Sequence, residues 1–334
     1  MENKLILNST ELTGIIGKNE MDKLSTVVEE SEWNNYRKKY DQASDLNLLD
    51  FPIQLDFELN SSCNLKCPMC PISAESPKGK GKSTWFDFEL YKEIIDYAVL
   101  KGTRAIKLNY INEPLIRNDL IKFIDYAKEK GVVDIYFSTN GILLKEKISE
   151  ELIKSGLTRI QISIDAVTQT TYDKVRPGGN LENIIKNIKK FLDLKKKFNS
   201  VTPLIRVNFV KTPLNEFELN DFIEFWTGNV DMIGVQEFIK PTKVKKILKS
   251  KKTFFKKDFK CSFPFKQLVI NNEKDVLPCC TFWGEELSIK KLEKPEDLLD
   301  AWNSEKMKYL RKKHTDGEYA DIPQCKNCVE GGIE

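Results

Sequence analysis

From Phe51 to about Lys240 the chain repeats one pattern six times, a short strand-like run coupled to a longer helical run. The strand candidates are Ile53–Leu59, Ala105–Asn109, Asp134–Ser138, Arg159–Ile164, Ile205–Val210 and Met232–Phe238. Helical candidates fall between them at Asp87–Leu100, Asp119–Lys130, Lys145–Ser155, Leu181–Lys197 and Glu216–Trp226. The fourth is the clearest, with Leu181, Ile184, Ile185, Ile188 and Leu192 on one face. Strands alternating with crossover helices imply a parallel sheet. Six such units predict an α/β fold, a partial and open (β/α)6 barrel.

The strands carry a second message. Parallel strands covered on both faces usually read as unbroken apolar runs, yet these alternate. Leu55, Phe57 and Leu59 interleave with Gln54, Asp56 and Glu58, Ile106 and Leu108 with Lys107 and Asn109. Ile160, Ile162 and Ile164 interleave with Gln161, Ser163 and Asp165, Val207 and Phe209 with Arg206 and Asn208. Strand side chains alternate faces, so if helices cover the apolar set, the polar set points into the barrel. Buried polar groups are costly unless hydrogen-bonded, which predicts a cavity for a polar ligand. An antiparallel sheet with one wet face is the competing reading.

Eight cysteines fall in two groups, Cys63, Cys67 and Cys70, then Cys261, Cys279, Cys280, Cys325 and Cys328, with a cysteine-free gap between Cys70 and Cys261. The first group has the spacing C-x3-C-x2-C directly after the first barrel strand, where (β/α) barrels carry their chemistry. Three thiolates on a short loop, with His314 the only histidine in the chain, suit a [4Fe–4S] cluster with one open iron better than a four-ligand zinc site.

Residues 1–50 are expected to be a polar, partly helical extension, and 51–240 the barrel. Residues 241–260 read as a Lys-rich linker, with a phosphate or nucleic-acid patch as the alternative. Residues 261–334 read as a small α+β domain. It is expected to hold a hairpin of Gln267–Ile270 and Val276–Leu277 across Asn271–Asp275, and a helix from Pro295 to Lys313. With 53 basic and 50 acidic residues the net charge is +3, too balanced to mark a nucleic-acid binder. No run approaches the length of a membrane span, and MENKLILNSTELTG lacks a signal-peptide core. The expectation is a cytoplasmic protein without membrane or nucleic-acid partners.

The C-x3-C-x2-C loop resembles the hallmark of the radical S-adenosylmethionine superfamily, and further motifs follow in that family's order. Asn112-Glu113-Pro114 follows the second strand, Thr139-Asn140-Gly141 the third, Ser163-Ile164-Asp165 ends the fourth, and Arg176 comes shortly after. The resemblance implies that Cys63, Cys67 and Cys70 hold the catalytic cluster and that Glu113 holds the methionine amine. It also implies that Thr139, Asn140, Ser163, Asp165 and Arg176 line the ribose and carboxylate of the cofactor. Asn112 stands in place of the usual glycine, and Met69 where an aromatic is common. The second group, with its Pro-Cys-Cys and Pro-Gln-Cys-Lys-Asn-Cys segments, resembles the twitch or SPASM-type extension. That implies an auxiliary [4Fe–4S] cluster on Cys261, Cys279, Cys325 and Cys328, with Cys280 spare. Asn271-Asn272 replaces the usual turn glycine; Asn tolerates the left-handed conformation.

The implied function is a radical oxidoreductase with S-adenosylmethionine and two [4Fe–4S] clusters as cofactors, primed by a reductant such as flavodoxin or ferredoxin. The polar barrel lining points to a sugar, nucleotide-sugar or cyclitol, as in the aminocyclitol dehydrogenase branch. Lys107, Asn109, Arg206, Asn208 and Glu237 are the substrate-contact candidates, with Lys107, Arg206 and Cys280 placed closest to the chemistry. Alternatives are an epimerase using Cys280 as hydrogen donor, a peptide maturase, and a non-catalytic iron–sulfur or zinc protein.

Overall fold

The computed structural model describes residues 13–75, 84–238 and 259–330. The Lys-rich linker lies almost wholly outside them. The described residues begin with β1 (Thr13–Ile16) and α1 (Glu30–Ser44). The barrel follows as β2 (Gln54–Phe57), α2 (Pro71–Glu75), α3 (Phe88–Lys101), β3 (Ala105–Lys107), α4 (Leu120–Glu129) and β4 (Asp134–Thr139). It continues as α5 (Glu146–Lys154), β5 (Arg159–Ser163), α6 (Gln169–Val175), α7 (Leu181–Lys197), β6 (Leu204–Lys211), α8 (Leu219–Trp226) and β7 (Met232–Glu237). The last part holds α9 (Phe263–Lys266), β8 (Gln267–Ile270), β9 (Asp275–Leu277), β10 (Lys290–Lys291), α10 (Asp297–Trp302), α11 (Glu305–Thr315) and α12 (Pro323–Glu330).

All six expected strands form, and β2 to β7 pair in parallel in sequence order. This disposes of the antiparallel alternative. Local chemistry sets the helix ends. Asp87 accepts from the Leu90 N–H at 2.8 Å to start α3, and Gly102 at φ 112° ends it. Asn180 caps α7, and Lys195, Lys196 and Lys197 sit in its last turn, where the helix dipole favours cations. The apolar strand set (Leu55, Phe57, Ile106, Leu108, Ile160, Ile162, Val207 and Phe209) is fully buried in the main core. The polar set faces the other way.

Two features beyond expectation matter for function. First, the partly helical N-terminal extension also supplies an edge strand to the barrel sheet. β1 adds antiparallel to β7, Thr13 opposite Gln236 through Ile16 opposite Ile233. Trp33 and Tyr36 of α1 pack with Ile53, Ala105, Val133, Leu204 and Met232 at the strands' N-terminal ends. The Tyr36 hydroxyl donates to Asp134 at 2.9 Å, and Arg159 grips the same carboxylate with Nε at 2.8 Å and a terminal nitrogen at 2.7 Å. Second, the C-terminal domain joins the barrel's own sheet. β8 pairs in parallel with β2, Gln54 opposite Gln267 through Phe57 opposite Ile270, so one ten-stranded sheet runs through the molecule.

Smaller corrections have local causes. The helix expected over 295–313 breaks at Asn303, where Ser304 starts α11 by capping Met307. In the β8–β9 turn the left-handed residue is Lys274 at φ 70°, not an asparagine. Asn271 serves instead as a side-chain acceptor for the Glu273 and Asp275 N–H groups.

Candidate active site

The first cysteine loop leaves the C-terminal end of β2 and is pinned from three sides. Asn60 Nδ2 donates to the Glu113 carbonyl at 3.1 Å, the Glu113 N–H donates to the Ser62 carbonyl at 2.9 Å, and Asn140 Nδ2 donates to Asn64 Oδ1 at 2.7 Å. The Cys70 N–H closes a turn on the Cys67 carbonyl at 3.0 Å. Cys67 is buried, Cys63 and Cys70 partly so. Burial raises all three thiols, Cys70 to about 12, so metal binding here must displace protons.

The three motif loops converge on this site. Burial pushes the Glu113 carboxyl above its usual range, against three donors: the Asn140 N–H at 2.8 Å, the Thr139 hydroxyl at 2.7 Å and the Leu115 N–H at 3.1 Å. Gly141 at φ 77° turns the chain after β4, and a Cβ there would stand 3.1 Å from Ile162 and Ile184. Asp165 and Arg176 pair with each other through Arg176 Nε at 2.7 Å. Burial works against the Arg176 charge, but Asp165 and Cys67 hold its guanidinium above its usual range. Met69 packs half-buried against the core. Buried Ser73 Oγ, Asn112 Nδ2 and Tyr172 Oη flank the cysteine loop with no hydrogen-bond partner among the described residues. Three thiols with idle polar groups beside them fit a cluster and a small molecule rich in amine, carboxylate and hydroxyl groups. No three Cys, His, Asp or Glu among the described residues converge as a single ion requires; a cubane, which takes one thiolate per iron, does not require it.

The second cysteine group separates past the end of β9, where Cys279 and Cys280 lie in an irregular segment rather than in the strand. Cys261, Cys279, Cys325 and Cys328 line one small pocket with Phe259, Leu287, Leu310 and Val329, whereas Cys280 lines the barrel chamber. His314 joins the first pocket. Its Nδ1 accepts from the Cys261 N–H at 3.2 Å, and burial lowers its pKa to about 4, so the ring stays neutral. Nothing in the sequence spacing marks this histidine.

The chamber has a volume of about 660 Å³. Lys107, Arg206, Asn208, Gln161, Ser163 and Asp56 all face it, so the polar alternation read along the strands does build an interior. Lys107 lies 3.9 Å from Asp56, whose carboxyl burial raises to about 6 although Lys107 and Gln54 oppose the shift. Two candidates fall away. Asn109 spends its side-chain oxygen on the Ser138 N–H at 2.8 Å, and Glu237 pairs with Lys211 outside the chamber. Two features were missed. Tyr110 spans the gap to the second cysteine group, its hydroxyl donating to the Thr281 carbonyl at 2.6 Å. Residues of α1, Tyr36, Arg37 and Tyr40, also line the chamber.

Comparison with known proteins agrees with this geometry. Residues 58–210 match the radical SAM superfamily and residues 261–329 match SPASM, an iron–sulfur cluster-binding domain. A probable GTP 3′,8-cyclase of Methanocaldococcus jannaschii is 31% identical over 185 residues, 55% of this chain and 58% of that protein. The GTP 3′,8-cyclase of Clostridium botulinum is 30% identical over 51% of each chain. The chain thus spans little more than half the length of these curated relatives. Among solved structures, BtrN in complex with AdoMet and 2-DOIA aligns with a TM-score of 0.54 at 16% identity, over 85% of this chain and 96% of BtrN. Streptococcus suis SuiB bound to S-adenosylmethionine aligns with a TM-score of 0.64 at 19% identity, over 95% and 83%. The two matched domains imply S-adenosylmethionine and iron–sulfur clusters as cofactors. The chain carries a radical SAM domain over residues 58–210, followed by a SPASM iron–sulfur domain over residues 261–329.

Proposed function

We propose that the protein removes a hydrogen atom from a hydroxylated polar substrate in the barrel chamber, a sugar, nucleotide-sugar or aminocyclitol, and oxidises that carbon to a ketone. The observation that carries this reading is the chamber lining: Lys107, Asp56, Gln161, Arg206, Asn208 and Ser163 present donors and acceptors suited to several hydroxyls. Asn208 Oδ1 is buried with no partner among the described residues, an acceptor waiting for a substrate donor. In this reading Cys63, Cys67 and Cys70 hold the catalytic cluster, and Cys261, Cys279, Cys325 and Cys328 the second. Glu113, Thr139, Asn140, Asp165 and Arg176 surround the cofactor, Asp165 and Arg176 as a pair.

When bound, S-adenosylmethionine and the clusters supply a 5′-deoxyadenosyl radical and an acceptor for one electron. The chain's own part is positioning and proton transfer. Lys107 and Arg206 orient the substrate hydroxyls. The Asp56 carboxylate, ionised at neutral pH with a pKa near 6, takes the hydroxyl proton as the ketone forms. A one-electron reductant of the flavodoxin or ferredoxin class primes the reaction. The test is anaerobic incubation of reconstituted enzyme with S-adenosylmethionine, reductant and a panel of UDP-sugars, aminocyclitols and GTP. The expected result is 5′-deoxyadenosine matched one-to-one by a ketone from a sugar or cyclitol. Stimulation by GTP alone would transfer the protein to the chemistry named for its curated relatives.

A second reading has its own observation. Cys280 faces the chamber, and Lys107 and Asp56 lie close enough to shift its thiol, which burial raises to about 11. A protonated thiol there can return a hydrogen atom to the substrate radical, making an epimerase; the thiyl radical left on Cys280 then takes one electron from the flavodoxin- or ferredoxin-class reductant and a proton from solvent. Turnover in deuterated water then places one deuterium at the inverted carbon, and Cys280→Ser makes 5′-deoxyadenosine without product. In the dehydrogenase neither occurs.

A further inference from the structure

The chamber is not closed by the barrel alone. Its wall includes Lys18, Asp22 and Arg37 from the N-terminal segment, beside Lys107, Arg206 and Asp56 from the strands. α1 is held there firmly. Tyr36 bonds Asp134, Trp33 and Tyr36 are almost fully buried, and Lys266 of α9 lies over the Tyr40 ring at 4.7 Å. The segment therefore belongs to the active site as a fixed floor.

That floor is electropositive. Five cationic side chains line the chamber, Lys18, Arg37, Lys107, Arg159 and Arg206, against the carboxylates of Asp22 and Asp56. Arg159 is neutralised by its bidentate bond to Asp134, and Lys107 faces Asp56. Lys18 has no ion-pair partner among the described residues. Arg37 lies over the rings of Tyr36 and Tyr40, 5.7 and 4.7 Å from their centroids, and meets only the exposed Asp41, at 3.3 Å. Partly enclosed positive charge of this kind costs solvation energy that an anion restores, and charge-assisted bonds to an oxyanion are about twice as strong as neutral ones.

We propose that the N-terminal segment forms an oxyanion subsite at the chamber floor, with Arg37 and Lys18 as its principal donors, and that the substrate carries a phosphate or carboxylate group there. This rests on the chamber being the substrate site and narrows the substrate class to anionic sugars or nucleotides. Segment 13–44 then acts as a specificity element.

The test is calorimetry on the holoenzyme with S-adenosylmethionine bound, titrating inorganic pyrophosphate, glucuronate and myo-inositol. Pyrophosphate or glucuronate should bind, the stronger of the two identifying the oxyanion, and myo-inositol should bind at least about tenfold more weakly. Arg37→Gln should weaken the anion about tenfold or more, the usual size of a lost charged hydrogen bond, and Arg37→Lys should recover part of that loss. Lys18→Gln provides a second variant that does not disturb the α1 stacking. Equal binding to Arg37→Gln and Lys18→Gln overturns the proposal. So does loss of binding in Lys189→Gln/Lys196→Gln, which alters the lysine-rich groove outside the barrel. If a neutral cyclitol is dehydrogenated without anion binding, only this inference fails. If anions bind but no candidate stimulates 5′-deoxyadenosine formation, the catalytic reading fails and the subsite stands.

Discussion

Glu113 shows how much of a site residue's behaviour is set by its neighbours. The motif order singled it out, but its three donors on Thr139, Asn140 and Leu115 are visible only in the fold. They use most of a carboxylate's acceptor capacity and stitch the loop after β3 to the loop after β4. Glu113→Gln keeps the shape but loses the charge that strengthens those bonds and that, on the proposed reading, holds the cofactor's amine. Affinity for S-adenosylmethionine, measured by equilibrium dialysis, should fall about tenfold, the size expected of a charged hydrogen bond, while iron content stays unchanged. Gly234 offers a sharper steric test. A Cβ there would lie 2.5 Å from Asn208 Oδ1 and 3.4 Å from Arg206 Nε. Gly234→Val should therefore raise KM for the substrate at least about tenfold by filling the chamber, an overpacking effect, and leave substrate-independent cleavage of S-adenosylmethionine intact. Equal KM values would remove Asn208 from the substrate site.

At the scale of elements, the two cysteine groups depend on different supports. The first sits on one loop whose spacing is local and was legible in the sequence. The second draws on α9's approach, the end of β9, and α12, which are brought together only by folding. Replacing Cys63, Cys67 and Cys70 by Ala should remove about half the iron, since one of two four-iron clusters is lost, and abolish 5′-deoxyadenosine formation. Iron analysis with the spectrum of the remaining cluster checks this, and retained cleavage would reassign the catalytic site. The β8–β9 hairpin adds a finer point. Strand alternation predicts opposite faces for adjacent Cys279 and Cys280; both lie in the irregular segment just past β9, which ends at Leu277, and they still line different cavities. That rule predicted the separation, but it could not say that Cys280's side would open onto the chamber.

The whole molecule is joined by the edge where β8 meets β2. Leu268 is fully buried in the core shared by the barrel helices and α10 and α11. Leu268→Ala should cost about 2–5 kcal/mol, the range for a buried leucine truncation. Because the sheet is continuous, loss of barrel circular dichroism and release of iron from the second cluster should occur in one transition. Two separated transitions would contradict the shared core. The local content of this architecture was written in the sequence. Strand and helix alternation, polar and apolar faces, capping residues and the three-cysteine loop each involve residues a few positions apart, where backbone geometry alone fixes which side chains share a face. Tertiary structure decided what those faces meet. Tyr36 and Asp134 are 98 residues apart, and Tyr110 and Thr281 are 171 apart. No periodicity encodes such pairs, because they arise when the sheet closes and buried polar groups must find partners across it. Hence the barrel and its cluster loop could be read from the chain itself. The floor made by α1 and the weld of the SPASM domain to β2 follow only from long-range packing.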